Sequence, residues 1–224
     1  MRRNRKFFVL LHQIKIMKNM RKFMIAIMMV LPLAAIALDN TWERIEQEPV
    51  TKSNPNAKYL VPNAVPEVDG KVVFEKTIEA SGKSASTIYD ILQRQMAKMV
   101  REPNQLENSM LAVQDSTNYK LGAVFHEWLV FRSSALSLDR TKFNFVLTAD
   151  CYDNKAVVRI SHITYRYDEE RNPENYTAEE WITDKYCVNK KHTKLYPISG
   201  KFRRKTIDRK DFIFNKFTTL LNEK

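Results

Sequence analysis

The sequence predicts an α+β domain, and three observations carry that prediction. Lys71–Glu79 alternates apolar and polar residues, as a half-buried strand does. Ser84–Arg101 carries one apolar stripe at three- and four-residue steps, as an amphipathic helix does. A run of alternating segments follows and then gives way to further helical patterns. The predicted order is β-α-β-β-β-β-α-α, with four or five strands.

Each element has its own signal. In the first strand Val72, Phe74 and Ile78 share a face, and Ser81-Gly82-Lys83-Ser84 turns the chain. Ile88, Ile91, Leu92, Met96 and Met99 form the helix stripe, with Ser84 or Ser86 as cap and Pro103 beyond the end. Met110–Gln114 is a short strand. Tyr119–Phe131 is apolar on both sides, as a covered or central strand is. Lys142–Tyr152 alternates cleanly, and Asp153-Asn154 turns it into Lys155–Tyr167 as a hairpin. Thr177-Ala-Glu-Glu180 has capping-box spacing and opens a helix to about Val188. Lys190–Lys205 reads as irregular, broken by Pro197 and Gly200, and a last helix runs from about Asp208 to Leu221.

Ahead of this domain the composition changes twice. Residues 1–37 hold eight basic side chains and no acidic one. Their end, residues 23–37, is an apolar run closing on Ala35-Ile36-Ala37, the small-x-small form of a signal-peptidase site. The run is shorter than the roughly 20 residues a membrane span needs. Residues 1–37 are therefore expected to be a cleaved export signal, with Met17 or Met20 as an alternative start. Residues 38–68 contain four prolines and read as an extended linker, leaving 69–224 as the domain.

The export signal changes the meaning of the charge. The whole chain carries +11, from 37 basic and 26 acidic residues. Without the eight basic residues of the signal, 29 basic residues face 26 acidic ones. A nearly neutral exported protein is not expected to meet nucleic acid.

The stretch Val68-Asp69-Gly70-Lys71-Val72-Val73-Phe74-Glu75-Lys76-Thr77-Ile78, with the helix and strands after it, resembles a family of exported Bacteroidetes domains of unknown function. That family is described as having a TATA-binding-protein-like (TBP-like) fold. The resemblance spans roughly residues 65–170. It implies a curved antiparallel sheet packed on helices and supplies no catalytic motif. A fold shared with a DNA-binding protein says nothing about DNA binding.

Chemistry-bearing motifs are few. The four glycines, Gly70, Gly82, Gly122 and Gly200, are isolated, so no phosphate-cradling loop can be built. His126-Glu127 opens like a zinc-protease motif, but Val130 stands where the second ligand belongs. His126 reads as a strand residue beside Trp128. Glu180 and Asp184 share a helix face near Glu174, and a solvated face is expected there rather than a cation site. Cys151 and Cys187 are either two buried thiols or a disulfide closing about 36 residues, which would contribute roughly 3–4 kcal/mol. No metal and no cofactor are implied.

Two surfaces remain as candidates. Trp128, Tyr152, Tyr165, Tyr167 and Trp181 are candidates to line a concave aromatic face for a glycan, a small apolar ligand or another envelope component, or else to form core. Residues 189–210 hold nine basic side chains against Asp208 alone. Lys201, Arg203, Arg204 and Lys205 are the candidates there for contact with an anionic surface, or for neutralising the acidic stretch 168–184. The expected function is a non-enzymatic envelope binding module. The alternatives are a hydrolase using His126 or His162 with a carboxylate, and a membrane-surface protein using the basic segment.

Overall fold

A computed structural model describes residues 55–134, 137–168 and 171–223. The expected export signal and most of the expected linker lie outside the described residues.

The linker expectation ends too late. Ala57–Leu60 forms a helical turn (α1) whose Tyr59 and Leu60 are buried, and Val65 is buried after it. Glu67–Val68 (β1) and Lys71–Val72 (β2) make a two-stranded hairpin. Its Asp69-Gly70 turn has both residues at positive φ, 50° and 72°, which suits the twist of a two-residue hairpin loop. The predicted first strand is thus divided: β2 ends at Val72, and Phe74–Glu79 (β3) joins the main sheet.

Ala85–Met99 (α2) starts where its cap predicts: the Thr87 N–H donates to the Ser84 hydroxyl at 3.2 Å. The strands Met110–Asp115 (β4), Lys120–Ser134 (β5), Ser137–Tyr152 (β6) and Lys155–Tyr167 (β7) form an antiparallel meander. Glu174–Thr177 (β8) was not expected from the sequence. The main sheet has six strands in the order β3-β7-β6-β5-β4, with β8 also on β7. β3 and β8 share one edge of β7, along residues 155–160 and 164–167 respectively.

One irregularity governs β7. Val146 pairs with Ser161 and Asn144 with Thr164, so the register shifts by one residue. His162 lies in this interval at φ 55° and is exposed, a bulge. Before it Ala156, Val158 and Ile160 face the core; after it Ile163 and Tyr165 do. The alternation changes parity within one strand.

The expected helix over 177–188 is two single turns, Ala178–Trp181 (α3) and Asp184–Cys187 (α4). Between them Ile182 and Thr183 are buried, and the Thr183 hydroxyl donates back to the Glu179 carbonyl at 3.0 Å. The irregular basic segment is corrected more sharply: a 26-residue helix, Pro197–Asn222 (α5), runs through it. Proline is at home in a helix's first turn, where its missing N–H costs nothing. Gly200 is needed rather than disruptive, because a Cβ there would lie 2.9 Å from the Leu195 Cβ.

α2 and α5 cover one face of the sheet. Phe125, Phe143, Phe145, Phe202 and Phe217 are at most 1% exposed in the core between them. Burying each such side chain stabilises by about 1.5–3 kcal/mol. The other face of β5, β6 and β7 carries no helix among the described residues, and it holds the candidate site.

Candidate functional site

Residues on the uncovered face line up in rows across three strands. His126, Asn144 and Thr164 are direct cross-strand partners, and so are Trp128, Lys142 and Arg166. The first row is hydrogen-bonded throughout. Asn144 Nδ2 donates to Thr164 Oγ1 at 3.1 Å, which turns Asn144 Oδ1 toward His126 Nδ1, 2.8 Å away. An amide oxygen only accepts, so Nδ1 carries a proton, and the tautomer this selects has its lone pair on Nε2. Beside the second row, the guanidinium of Arg140, two residues before Lys142 on β6, stacks 3.7 Å from the Trp128 ring centre, with Lys142 Nζ at 5.8 Å.

The loop between α2 and β4 forms the rim. Leu106 N–H donates to the His126 carbonyl at 2.6 Å, and Trp128 N–H donates to the Asn104 carbonyl at 2.9 Å. The Ser109 hydroxyl accepts from His126 N–H and donates to His126 C=O, both at 2.9 Å. Leu106, Glu107 and Asn108 thereby overhang His126 and Trp128, enclosing a cleft of about 520 Å³. The cleft offers an aromatic face, an acceptor nitrogen, an ammonium and a carboxylate.

Beneath this rim, on the helix side, lies a buried ionic knot. Glu127 is fully buried, since its strand neighbours His126 and Trp128 face the other way. Arg209 of α5 grips it with two bonds, Nε to Oε1 at 2.9 Å and Nη2 to Oε2 at 2.8 Å. The same Nη2 donates to Glu102 at 2.9 Å, and Gln105 Nε2 also donates to Glu127. Burial pushes the Glu127 carboxyl above its ordinary range, and the guanidinium opposes that shift. Next to the knot, Asn104 keeps both side-chain polar atoms buried without a hydrogen-bond partner among the described residues.

A family model for a domain of unknown function with TBP-like fold, DUF4468, matches residues 74–166. A crystal structure of a DUF4468 family protein from Bacteroides ovatus shares 41% identity, over 77% of this chain and 98% of that one, with a TM-score of 0.70. The chain belongs to the DUF4468 family. A TBP-like protein from Parabacteroides distasonis has a TM-score of 0.59 at 18% identity, over 71% of this chain and 99% of that one, a likeness of fold alone. No curated protein matches the chain.

In this DUF4468 chain the five expected aromatic residues do not form one wall. Trp128 alone lines the cleft. Tyr152 lies at the far end of β6, exposed beside Lys155. Tyr165 is core: it stacks on Phe143, meets Phe202 edge-on, and hydrogen-bonds Thr206 Oγ1 at 2.7 Å. Tyr167 packs against Phe131 and Phe202, and Trp181 stacks on Tyr176 at 3.9 Å. The bulge at His162 explains the tyrosines. Without it, residues 165 and 167 would continue the uncovered side of Arg159.

The basic candidates are largely internal. Lys201 is paired with Asp139 at 2.8 Å and lies over the Tyr167 ring. Arg203 is wholly buried, donating to the carbonyls of Tyr59 and Ile182 and to Asp184 at 2.6–2.8 Å. Arg204 and Lys205 are half-buried along α5. Arg203 thus holds α1 and α4 to α5, and Lys201 holds the sheet to it.

The remaining expectations resolve simply. Cys151 and Cys187 are free buried thiols in separate apolar clusters, so the disulfide alternative is corrected. Glu180 accepts from Thr177, Asp184 from Arg203 and Glu174 from Tyr176, so the three acids serve different partners. His162 points its Nδ1 at Ser161, away from the His126 row. Sequence reading missed Asn144, Lys142, Thr164 and the 106–108 rim. The Asp153-Asn154 turn could have aligned β6 with β7, but the bulge displaces that register by one.

Proposed function

We propose that the protein is an exported, non-enzymatic binding module that takes a polar, hydroxyl-bearing ligand, such as a glycan, in the cleft beneath residues 106–108. One observation carries this reading. The Thr164–Asn144–His126 chain fixes the imidazole tautomer, and so presents Nε2 as an acceptor beside the Trp128 ring, one face of which Arg140 covers. Aromatic faces pack on the apolar side of a sugar ring while fixed polar groups read its hydroxyls. The nearby Lys142 and Glu107 favour a polar ligand over an apolar one. The expected signal at residues 1–37 supports a place in the envelope.

The test is a titration of neutral and uronate-containing oligosaccharides, followed by Trp fluorescence and thermal melting. Binding is expected to shift Trp emission and raise the melting temperature, and Trp128→Ala is expected to abolish both. No response to any oligosaccharide would refute the ligand class. A hydrolase reading has one observation in its favour, Glu107 on the same cleft as His126. Release of reducing ends from a bound oligosaccharide would establish that reading instead.

A further inference from the structure

The basic segment is divided by the fold, and its exposed half has a character of its own. Arg203 and Arg209 are buried and Lys201 is paired, whereas Lys190, Lys191 and Lys194 are all exposed. No acidic residue occurs from 185 to 207. These lysines sit on a loop closed by the Val188–Leu195 bridge and held by Asn189, whose Oδ1 accepts from the N–H groups of Thr193 and Lys194.

Apolar side chains crowd the base of the same loop. Tyr186, Tyr196 and Ile198 are 44%, 46% and 62% exposed. The Tyr196 N–H donates to Cys187 C=O at 2.9 Å and the Ser199 hydroxyl to Tyr186 C=O at 3.3 Å, which draws the two stretches together. Val61, 54% exposed, follows Leu60, which packs on Cys187 and Val188. Of the acids at this end, Asp184 is engaged by Arg203 and the Asn63 N–H, and Glu67 lies close enough to act on Lys185.

We infer that this end of the domain, Val61, Tyr186, Tyr196 and Ile198 beneath Lys190, Lys191 and Lys194, is a docking surface for an anionic lipid bilayer. The charge complementarity is one-sided, since three exposed lysines stand on a stretch without acids. The apolar half decides between a bilayer and a soluble polyanion. Tyrosine suits the headgroup boundary, with its ring in the apolar layer and its hydroxyl wet. An exposed isoleucine gains by entering hydrocarbon and gains nothing from a sulfated chain in water. Lysines reach headgroups along their own apolar stems.

The test places an environment-sensitive dye on the full chain at Thr193→Cys, leaving the buried Cys151 and Cys187 in place. Vesicles containing one-third phosphatidylglycerol are expected to blue-shift the dye, and pure phosphatidylcholine vesicles are not. A dye at Ser116→Cys, on the β4–β5 turn at the opposite end of the domain, is expected to stay unshifted. That control separates this surface from vesicle binding through residues 23–37. Each lysine near an anionic surface contributes about a factor of five. Lys190→Ala with Lys191→Ala is therefore expected to weaken partitioning roughly 30-fold, with the circular dichroism unchanged. Salt at 1 M, where screening acts within about 3 Å, is expected to release the protein. An unshifted dye at 193, or equal shifts at 193 and 116, would overturn the proposal. So would a shift with dextran sulfate but none with vesicles, or a vesicle-independent shift that grows with protein concentration.

Discussion

Arg209→Met removes the counter-charge of Glu127 while keeping much of the side chain's volume. Arg209 donates two bonds to Glu127 and one to Glu102, and Glu127 has no exposed surface on which to find water. Breaking one partner from such a buried pair costs about 3–5 kcal/mol. The pH dependence gives an independent estimate. Burial already raises the Glu127 pKa, and removing the guanidinium raises it further. A group whose folded pKa is raised favours folding below its unfolded pKa, about 4.3, and disfavours it as pH rises toward the folded value. Each pH unit in that window changes stability by about 1.4 kcal/mol, so from pH 4.3 to pH 7 the penalty grows by up to about 3.7 kcal/mol. Urea unfolding of wild type and variant at pH 4.5 and pH 7 measures it. The difference between the two proteins is expected to be near 1 kcal/mol at the lower pH and 3–5 kcal/mol at the higher. Adding Glu127→Leu is expected to recover most of the loss at pH 7. A cost below 1 kcal/mol that is the same at both pH values would refute the assignment of a buried, ionised pair.

Four further outcomes follow from the packing. Gly200→Ala is expected to destabilise by about 1–2 kcal/mol despite alanine's better helix propensity, because the new methyl meets Leu195 at 2.9 Å; a raised melting temperature would contradict this. Tyr165→Phe is expected to cost about 1–2 kcal/mol in urea unfolding, since the buried Thr206 hydroxyl loses its 2.7 Å partner. Asn144→Leu is expected to leave the fold intact and to mix the His126 tautomers, visible in its ring ¹⁵N shifts; unchanged shifts would mean that Asn144 does not set the proton. Both cysteines are expected to resist a thiol reagent at pH 8 in the native state, where burial pushes the Cys151 thiol up to about 12, and both to react in denaturant; failure to react in denaturant would indicate a disulfide.

Most of the scaffold was legible because its signals are local. The Ser84 cap, the stripe of α2 and the alternation of β6 each depend on residues within a turn or a pleat of one another. The long helix α5 was half missed, because Pro197 and Gly200 read as breaks when considered alone. Leu195, which makes a small residue necessary at 200, is supplied by tertiary packing. The aromatic face failed for a related reason. Tyr165 and Tyr167 are assigned to a side by counting from Ile160, and the count is wrong by one at His162. Of the cleft, His126 and Trp128 stood out by residue type. Asn144, Lys142 and Thr164 become partners only through a register that no short stretch of sequence states.

The extra residue in β7 has an unusual sort of value. Its side chain is exposed, and because it stands outside the pleat Ile163 and Tyr165 still face the core after it. Drawing that residue into the pleat, with no bulge, would rotate Thr164 and Arg166 inward against α5 and carry Tyr165 and Tyr167 outward. Two polar groups would then enter the interior and two rings would leave it. Excising the residue, by contrast, leaves plain alternation from Ile160 through Ser161 to Ile163 with the same cross-strand pairs beyond, so a deletion here is expected to keep the fold: what matters is that this residue stays out of the count.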